Sequence, residues 1–181
     1  AVRLGADVLF FAGGHEAALV SGSGDEIRPL PPLPGNLGLL VVIPPFGITT
    51  AAVYRAFDEL PAPTSLALET VDALVERLEG GGLEPADLVA WSNALADAND
   101  LWPSSIRVGP SLRAFRATLE DRLGRRVLMT GSGSTLIGLY PSREAAAAAG
   151  QSAVADFPSA LRGTGMLATD PRGPDPIWRY P

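Results

Sequence analysis

Apolar residues along this 181-residue chain follow two spacings, and the change from one to the other marks out its elements. Leu37 to Ile43 is a continuous apolar run rich in Leu and Val, the pattern of a strand covered on both faces, and Pro44-Pro45 ends it. Helical spacing then takes over. Thr49 or Thr50 can cap a helix whose apolar positions are Val53, Tyr54, Phe57 and Leu60. A second helix carries Leu68, Val71, Leu74, Val75 and Leu78, and Gly80-Gly81-Gly82 stops it. A third, around Ala86 to Leu95, presents Leu88, Trp91 and Leu95, with Trp91 in the core. A fourth opens at Pro110-Ser111, carries Leu112, Phe115, Leu119 and Leu123, and ends at Gly124.

The last third reads as strand, turn, strand, helix, strand. Val127 to Thr130 runs into a glycine turn and Thr135 to Tyr140 runs out of it. Ser142 caps an alanine-rich helix reaching about Asp156, and Met166 to Thr169 is the final strand. The order from Leu37 is therefore β, several helices, β, β, α, β. That order predicts an α+β fold of the ferredoxin-like, split βαβ kind, with extra helices in its first crossover. The proline-rich segment from Asp170 to Pro176 predicts irregular chain.

Residues 1–36 form a separate pattern. The apolar stretch Val8 to Phe11 is stopped by Gly13-Gly14, and Ala17 to Val20 and Ile27 to Leu30 flank Gly22-Ser23-Gly24-Asp25 as a hairpin. Pro29 to Asn36 holds four prolines and a glycine, which interrupts sheet and helix alike and predicts a boundary between units 1–36 and 37–181.

Composition narrows the functions available. Hydrophobic residues make up 46%, too many for a disordered chain. The net charge of −6 argues against a nucleic-acid partner, which needs clustered Lys and Arg to displace phosphate counterions. The chain has no cysteine, so disulfides, thiolate catalysis and cysteine zinc sites are excluded, and the single His15 cannot build a multi-histidine metal centre. No apolar run is long enough to span a bilayer, and the expected home is the cytoplasm. The chain opens on Ala1, in what reads as the tail of a helix, as though cut from something longer.

Few residues offer chemistry. Asp7 follows Leu4-Gly5-Ala6 and reads most simply as a residue just past a helix end. The turn Gly131-Ser132-Gly133-Ser134 lacks the Lys-Ser/Thr ending of a phosphate-binding P-loop, and a strand follows where a dinucleotide fingerprint needs a helix. Its bare glycines still let backbone N–H groups approach a phosphate closely, with serine hydroxyls as further donors. Thr50 and Tyr54 read as a cap and a core-facing aromatic. Asn99-Asp100-Leu101 reads as an Asx-type turn, and His15 as a turn or strand-edge residue.

Leu4-Gly5-Ala6-Asp7-Val8 and Met129-Thr130-Gly131-Ser132-Gly133-Ser134-Thr135, in that order and at that separation, resemble the later part of the 4-diphosphocytidyl-2-C-methyl-D-erythritol kinases of the GHMP superfamily. Ile48 to Tyr54 and Asn99-Asp100-Leu101 match that family in outline, Leu9 stands where it usually has proline, and Ala51 departs from it in the same way. The resemblance, from Leu4 to about Thr169, implies a GHMP kinase C-terminal domain preceded by the tail of the N-terminal kinase domain.

It further implies a kinase using ATP and Mg²⁺ on the 2-hydroxyl of a cytidine diphosphate methylerythritol, in non-mevalonate isoprenoid synthesis. In that scheme Asp7 accepts or orients the hydroxyl proton. Gly131, Ser132, Gly133 and Ser134 lie near the phosphates, and Thr50 and Tyr54 border the cytidine, with the aromatic ring stacked on the base. The family places its ATP-cradling Gly-Leu-Gly-Gly-Gly-Ser-Ser loop and a lysine earlier than these motifs. No such loop occurs between Ala1 and Pro181, so the expectation is a piece of such a kinase, inactive alone. Two alternatives stand beside it: another GHMP kinase, for homoserine or mevalonate, and a non-catalytic ferredoxin-like binding module.

Overall fold

The computed structural model describes residues 8–61, 66–155, 163–169 and 178–180. The apolar stretch at the start is a short helix, α1 (Val8–Ala12), closed where Gly13 N–H donates to Leu9 O at 3.0 Å. Phe11 stays 75% exposed on it. The hairpin forms as expected: β1 (Ala18–Ser21) pairs antiparallel with β2 (Glu26–Pro29), and Ser21 faces Glu26 across the turn 22–25. Gly22 and Gly24 have φ of 63° and 88°, values that only glycine adopts readily.

After β3 (Gly38–Ile43) come α2 (Thr50–Asp58) and α3 (Leu66–Glu79), whose buried residues include Val75 and Leu78, while Leu68 is exposed. The helix expected around residues 86–95 is two helices, α4 (Pro85–Ala90) and α5 (Ser92–Asp97). A capping box between Glu84 and Asp87 starts the first. Trp91 is its C-cap and the N-cap of the second, and it is half-buried where the sequence suggested core.

A further helix, α6 (Trp102–Val108), has no counterpart among the expected elements; its fully buried residues are Ser104 and Ser105, and its apolar Trp102 and Ile106 pack on the core only partly buried. Next, α7 (Ser111–Leu123) begins after Pro110 and ends at Gly124 with φ 63°, as expected.

The chain then adds β4 (Leu128–Met129), β5 (Leu136–Tyr140), α8 (Arg143–Ala155), β6 (Gly165–Thr169) and β7 (Trp178–Tyr180). Ser142 caps α8, its Oγ accepting Ala145 N–H at 3.1 Å. The larger sheet has the order β4-β5-β3-β6-β7 with every neighbouring pair antiparallel. Its first four strands are the split βαβ arrangement. The fifth, β7, is an addition on the β6 edge beyond the proline-rich segment, which lies outside the described residues.

Expected burial of β3 on both faces is corrected. Gly38, Leu40 and Val42 share a face with Leu136, Tyr140, Met166 and Ala168, and that face packs with Leu112, Phe115 and Leu119 of α7 and Ala146 and Ala147 of α8. Leu39 and Val41, on the opposite face, are half-buried and Ile43 is exposed. An antiparallel sheet needs only one covered face, and here the helices α7 and α8 cover one. Each fully buried leucine in this layer contributes about 1.5–3 kcal/mol of transfer free energy.

Candidate functional site

The glycine turn between β4 and β5 is held from four directions. Its own backbone closes it, with Thr130 N–H donating to Thr135 O at 3.1 Å and Gly133 N–H to Thr130 O at 3.0 Å. Gly131 and Gly133 sit at φ 53° and 80°, so both glycines are required by conformation. Asn99 donates both carboxamide protons, to Met129 O and Gly131 O, each at 2.9 Å. Ser105 Oγ of α6 donates to Ser132 O at 3.0 Å, and Ser134 Oγ donates to Phe46 O at 2.8 Å.

The fourth brace comes from α2. Thr50 Oγ1 and Ser132 Oγ are 3.0 Å apart and share a hydrogen bond. The cap assignment changes accordingly. Thr49 is the N-cap, without a side-chain cap bond, and Thr50 is the first helical residue with its hydroxyl directed to the turn. Tyr54 is four residues on, and so on the same face of α2 as Thr50. It is 52% exposed, which corrects the core-packing alternative; the buried residues of α2 are Val53 and Ala56. Thr50, Tyr54 and Ser132 thus line one surface.

The loop that carries Asn99 is itself fixed. Asn99 Oδ1 accepts Leu101 N–H at 3.0 Å, the Asx turn expected from the sequence. Beneath it, Arg116 is 4% exposed, bonds Glu120 Oε1 at 2.9 Å and Ala96 O at 3.1 Å, and lies 4.5 Å over the Trp102 ring. Glu120 also accepts from Arg126 Nε at 3.0 Å and Val127 N–H at 3.1 Å. A buried guanidinium with a carboxylate, a carbonyl and an aromatic face around it is compensated. The network links α5, α6, α7 and the approach to β4.

Asp7 lies outside the described residues. His15 is in the loop before β1, its ring 6.4 Å from that of Phe10. Three contributors were not legible as site residues: Ser105, the Phe46 carbonyl, and Asn99 as a donor to the turn. All three lie far in sequence from the turn residues they hold, and nothing in a serine, a carbonyl or an asparagine signals such a partner. Among the described residues, no three His, Asp or Glu side chains gather to hold a metal ion, and no helix is long and apolar enough to cross a membrane.

Residues 71–159 match the family described as GHMP kinases C terminal. The chain is 34% identical over 143 residues to a 4-diphosphocytidyl-2-C-methyl-D-erythritol kinase of Moorella thermoacetica, covering 79% of this chain and 47% of that protein. It is 35% identical over 146 residues to the protein of the same name from Pelotomaculum thermopropionicum, covering 81% and 47%. The chain therefore spans about half the length of these relatives.

Among solved structures, a 4-(cytidine 5'-diphospho)-2C-methyl-D-erythritol kinase is 32% identical with a TM-score of 0.54, covering 82% of this chain and 49% of that one. The homoserine kinase of Cytophaga hutchinsonii, 22% identical, shares the fold with a TM-score of 0.62 over 84% of this chain and 47% of that one. The α+β architecture and these matches lead to one assignment: the chain belongs to the GHMP kinase family and carries its C-terminal domain.

Proposed function

We propose that the protein carrying this chain is an ATP-dependent kinase that phosphorylates the 2-hydroxyl of 4-diphosphocytidyl-2-C-methyl-D-erythritol, a step of non-mevalonate isoprenoid synthesis in the cytoplasm. The observation that carries the reading is the Thr50–Ser132 hydrogen bond, which makes the proposed cytidine border and the proposed phosphate turn neighbours. A diphosphocytidyl substrate has its base and its phosphates joined through one ribose, so a protein that reads both needs these elements side by side.

In this reading Tyr54 stacks on the cytosine, Thr50 borders it, and the turn 131–134 lies against phosphate oxygens. Asp7 takes or orients the hydroxyl proton as that oxygen attacks the γ-phosphorus and the bond to the β-phosphate oxygen breaks. ATP supplies the phosphoryl group. The small residues of the turn suit a phosphate, whereas the described residues present no carboxylate cluster for Mg²⁺, and the reading assigns the metal no ligand among them. The two-stranded sheet before residue 37 and the five-stranded sheet after it support a boundary near residue 36.

The test is phosphoryl transfer from ATP by the full-length protein to 4-diphosphocytidyl-2-C-methyl-D-erythritol, homoserine and mevalonate in parallel. Turnover of the first alone, inhibited by cytidine nucleotides, is the expected result. Turnover of either other substrate, or of none, removes the assignment.

A further inference from the structure

The bonds around the glycine turn have a directional pattern. Met129 O and Gly131 O both point at the Asn99 carboxamide, and Ser132 O points at Ser105 Oγ. In a trans peptide unit the carbonyl and the following N–H point in opposite directions. Thr130 N–H, opposite Met129 O, and Gly133 N–H, opposite Ser132 O, both bond inside the turn. Ser132 N–H, opposite Gly131 O, is turned away from Asn99 and takes no part in the hydrogen bonds of the turn. It belongs to the same residue whose hydroxyl meets Thr50.

We infer that Asn99 and Ser105 are positioning residues that hold the carbonyls of the turn inward and so aim the Ser132 N–H at a phosphate oxygen of the bound substrate or nucleotide. The inference rests on the kinase reading and extends it to two side chains that touch neither ligand. Neutral side chains suit this role, since the carboxamide offers two N–H donors to two carbonyls and keeps its own oxygen for Leu101 N–H. Charged residues could not replace it. An aspartate in that place keeps the oxygen for Leu101 but sets a negative oxygen against the turn's carbonyls, which frees the Gly131–Ser132 peptide unit to rotate.

The experiment compares Asn99→Asp and Ser105→Ala with the wild type in the full-length protein, at a temperature well below the melting midpoint of each. Hydrogen bonds to charged groups are worth enough that misaiming one is expected to lower kcat/KM about tenfold or more. Calorimetric binding of inorganic pyrophosphate is the readout that needs no turnover, and it is expected to weaken about fivefold or more in both variants. A purely structural role lowers the melting midpoint and leaves both quantities as in the wild type, which overturns the inference. Pyrophosphate that fails to bind the wild type overturns it as well. Should Asn99→Asp not fold, Ser105→Ala decides on the same two readouts. Failure of the kinase reading is seen separately, as a wild-type protein that transfers no phosphate.

Discussion

The hydroxyl groups of Thr50 and Ser132 lie 3.0 Å apart although 82 residues separate them in sequence. One opens helix α2 and the other sits in the glycine turn, so the contact makes a single surface from two segments that share no local signal. The chemistry assigned to Asp7 comes from family resemblance, and each assignment has its own check.

Asp7→Ala in the full-length protein is expected to lower kcat by about 10²–10⁴-fold, the range for loss of a positioned proton acceptor. The fold should stay intact. Steady-state kinetics beside a circular-dichroism melt separates the two quantities, and near-normal turnover would remove Asp7 from the mechanism.

Tyr54→Ala tests the cytidine border. The side chain is half exposed, so stability should change by less than about 0.5 kcal/mol. Base stacking is worth about 1–3 kcal/mol, which corresponds to a rise in KM for the cytidine substrate of roughly 5- to 150-fold. Tyr54→Phe keeps the flat face and should bind as the wild type does. A Tyr54→Ala protein with unaltered KM leaves the ring without a role at the base.

Gly38→Ala probes the fold rather than the site. A β-carbon on Gly38 falls on the carbonyl of Ser142, the residue that caps α8, and the obstacle is backbone with no rotamer to yield. The strand and the helix must separate, at a cost expected to exceed about 3 kcal/mol. Urea unfolding measures it; a loss below about 1 kcal/mol, taken as an order-of-magnitude threshold, means that the two elements slide apart freely.

Tyr140 gives the chain an alkaline signature. Burial pushes its phenol above the usual tyrosine range, and the Arg125 guanidinium 3.9 Å over the ring opposes this in part. The unfolded chain therefore releases that proton at lower pH than the folded one does. Its contribution to stability is whole below about pH 10 and is lost as pH climbs through the folded-state value. All fourteen basic side chains are arginine, so no lysine titration overlaps this window. Tyr140→Phe should flatten the decline. At pH 7 it should cost nothing or stabilise by about 1 kcal/mol, since the buried hydroxyl finds no partner among the described residues. Urea melts at pH 7 and pH 11 for both proteins provide the comparison.

Much of this architecture is written in apolar spacing. Strand β3, helices α3 and α7, the capped alanine helix α8 and the β1–β2 hairpin all carry their periodicity and their stop signals in consecutive residues. Helix α6 is weaker in this respect, since Ser104 and Ser105 are its fully buried residues and only Trp102 and Ile106 add apolar contact with the core. Strand β7 is three residues long and acquires its identity only by pairing with β6. Tyr54 has the spacing of a core residue and yet faces outward, since Val53 and Ala56 already occupy the buried side of α2. Asn99 shows its local Asx turn in the sequence, but its bonds to Met129 and Gly131 reach 30 and 32 residues ahead, beyond any local pattern.

The braces of the glycine turn also govern when it can take shape. Its partners Phe46, Thr50, Asn99 and Ser105 lie 88, 82, 30 and 27 residues from the positions they hold. Such contacts close large loops and are made only after the intervening chain has organised. An isolated peptide covering the turn should therefore be shapeless. In the folded protein the bonded amide protons of Thr130 and Gly133 should exchange at the rate of global unfolding, in step with the core strands, because no local opening releases all four braces at once, whereas the outward Ser132 amide should exchange early.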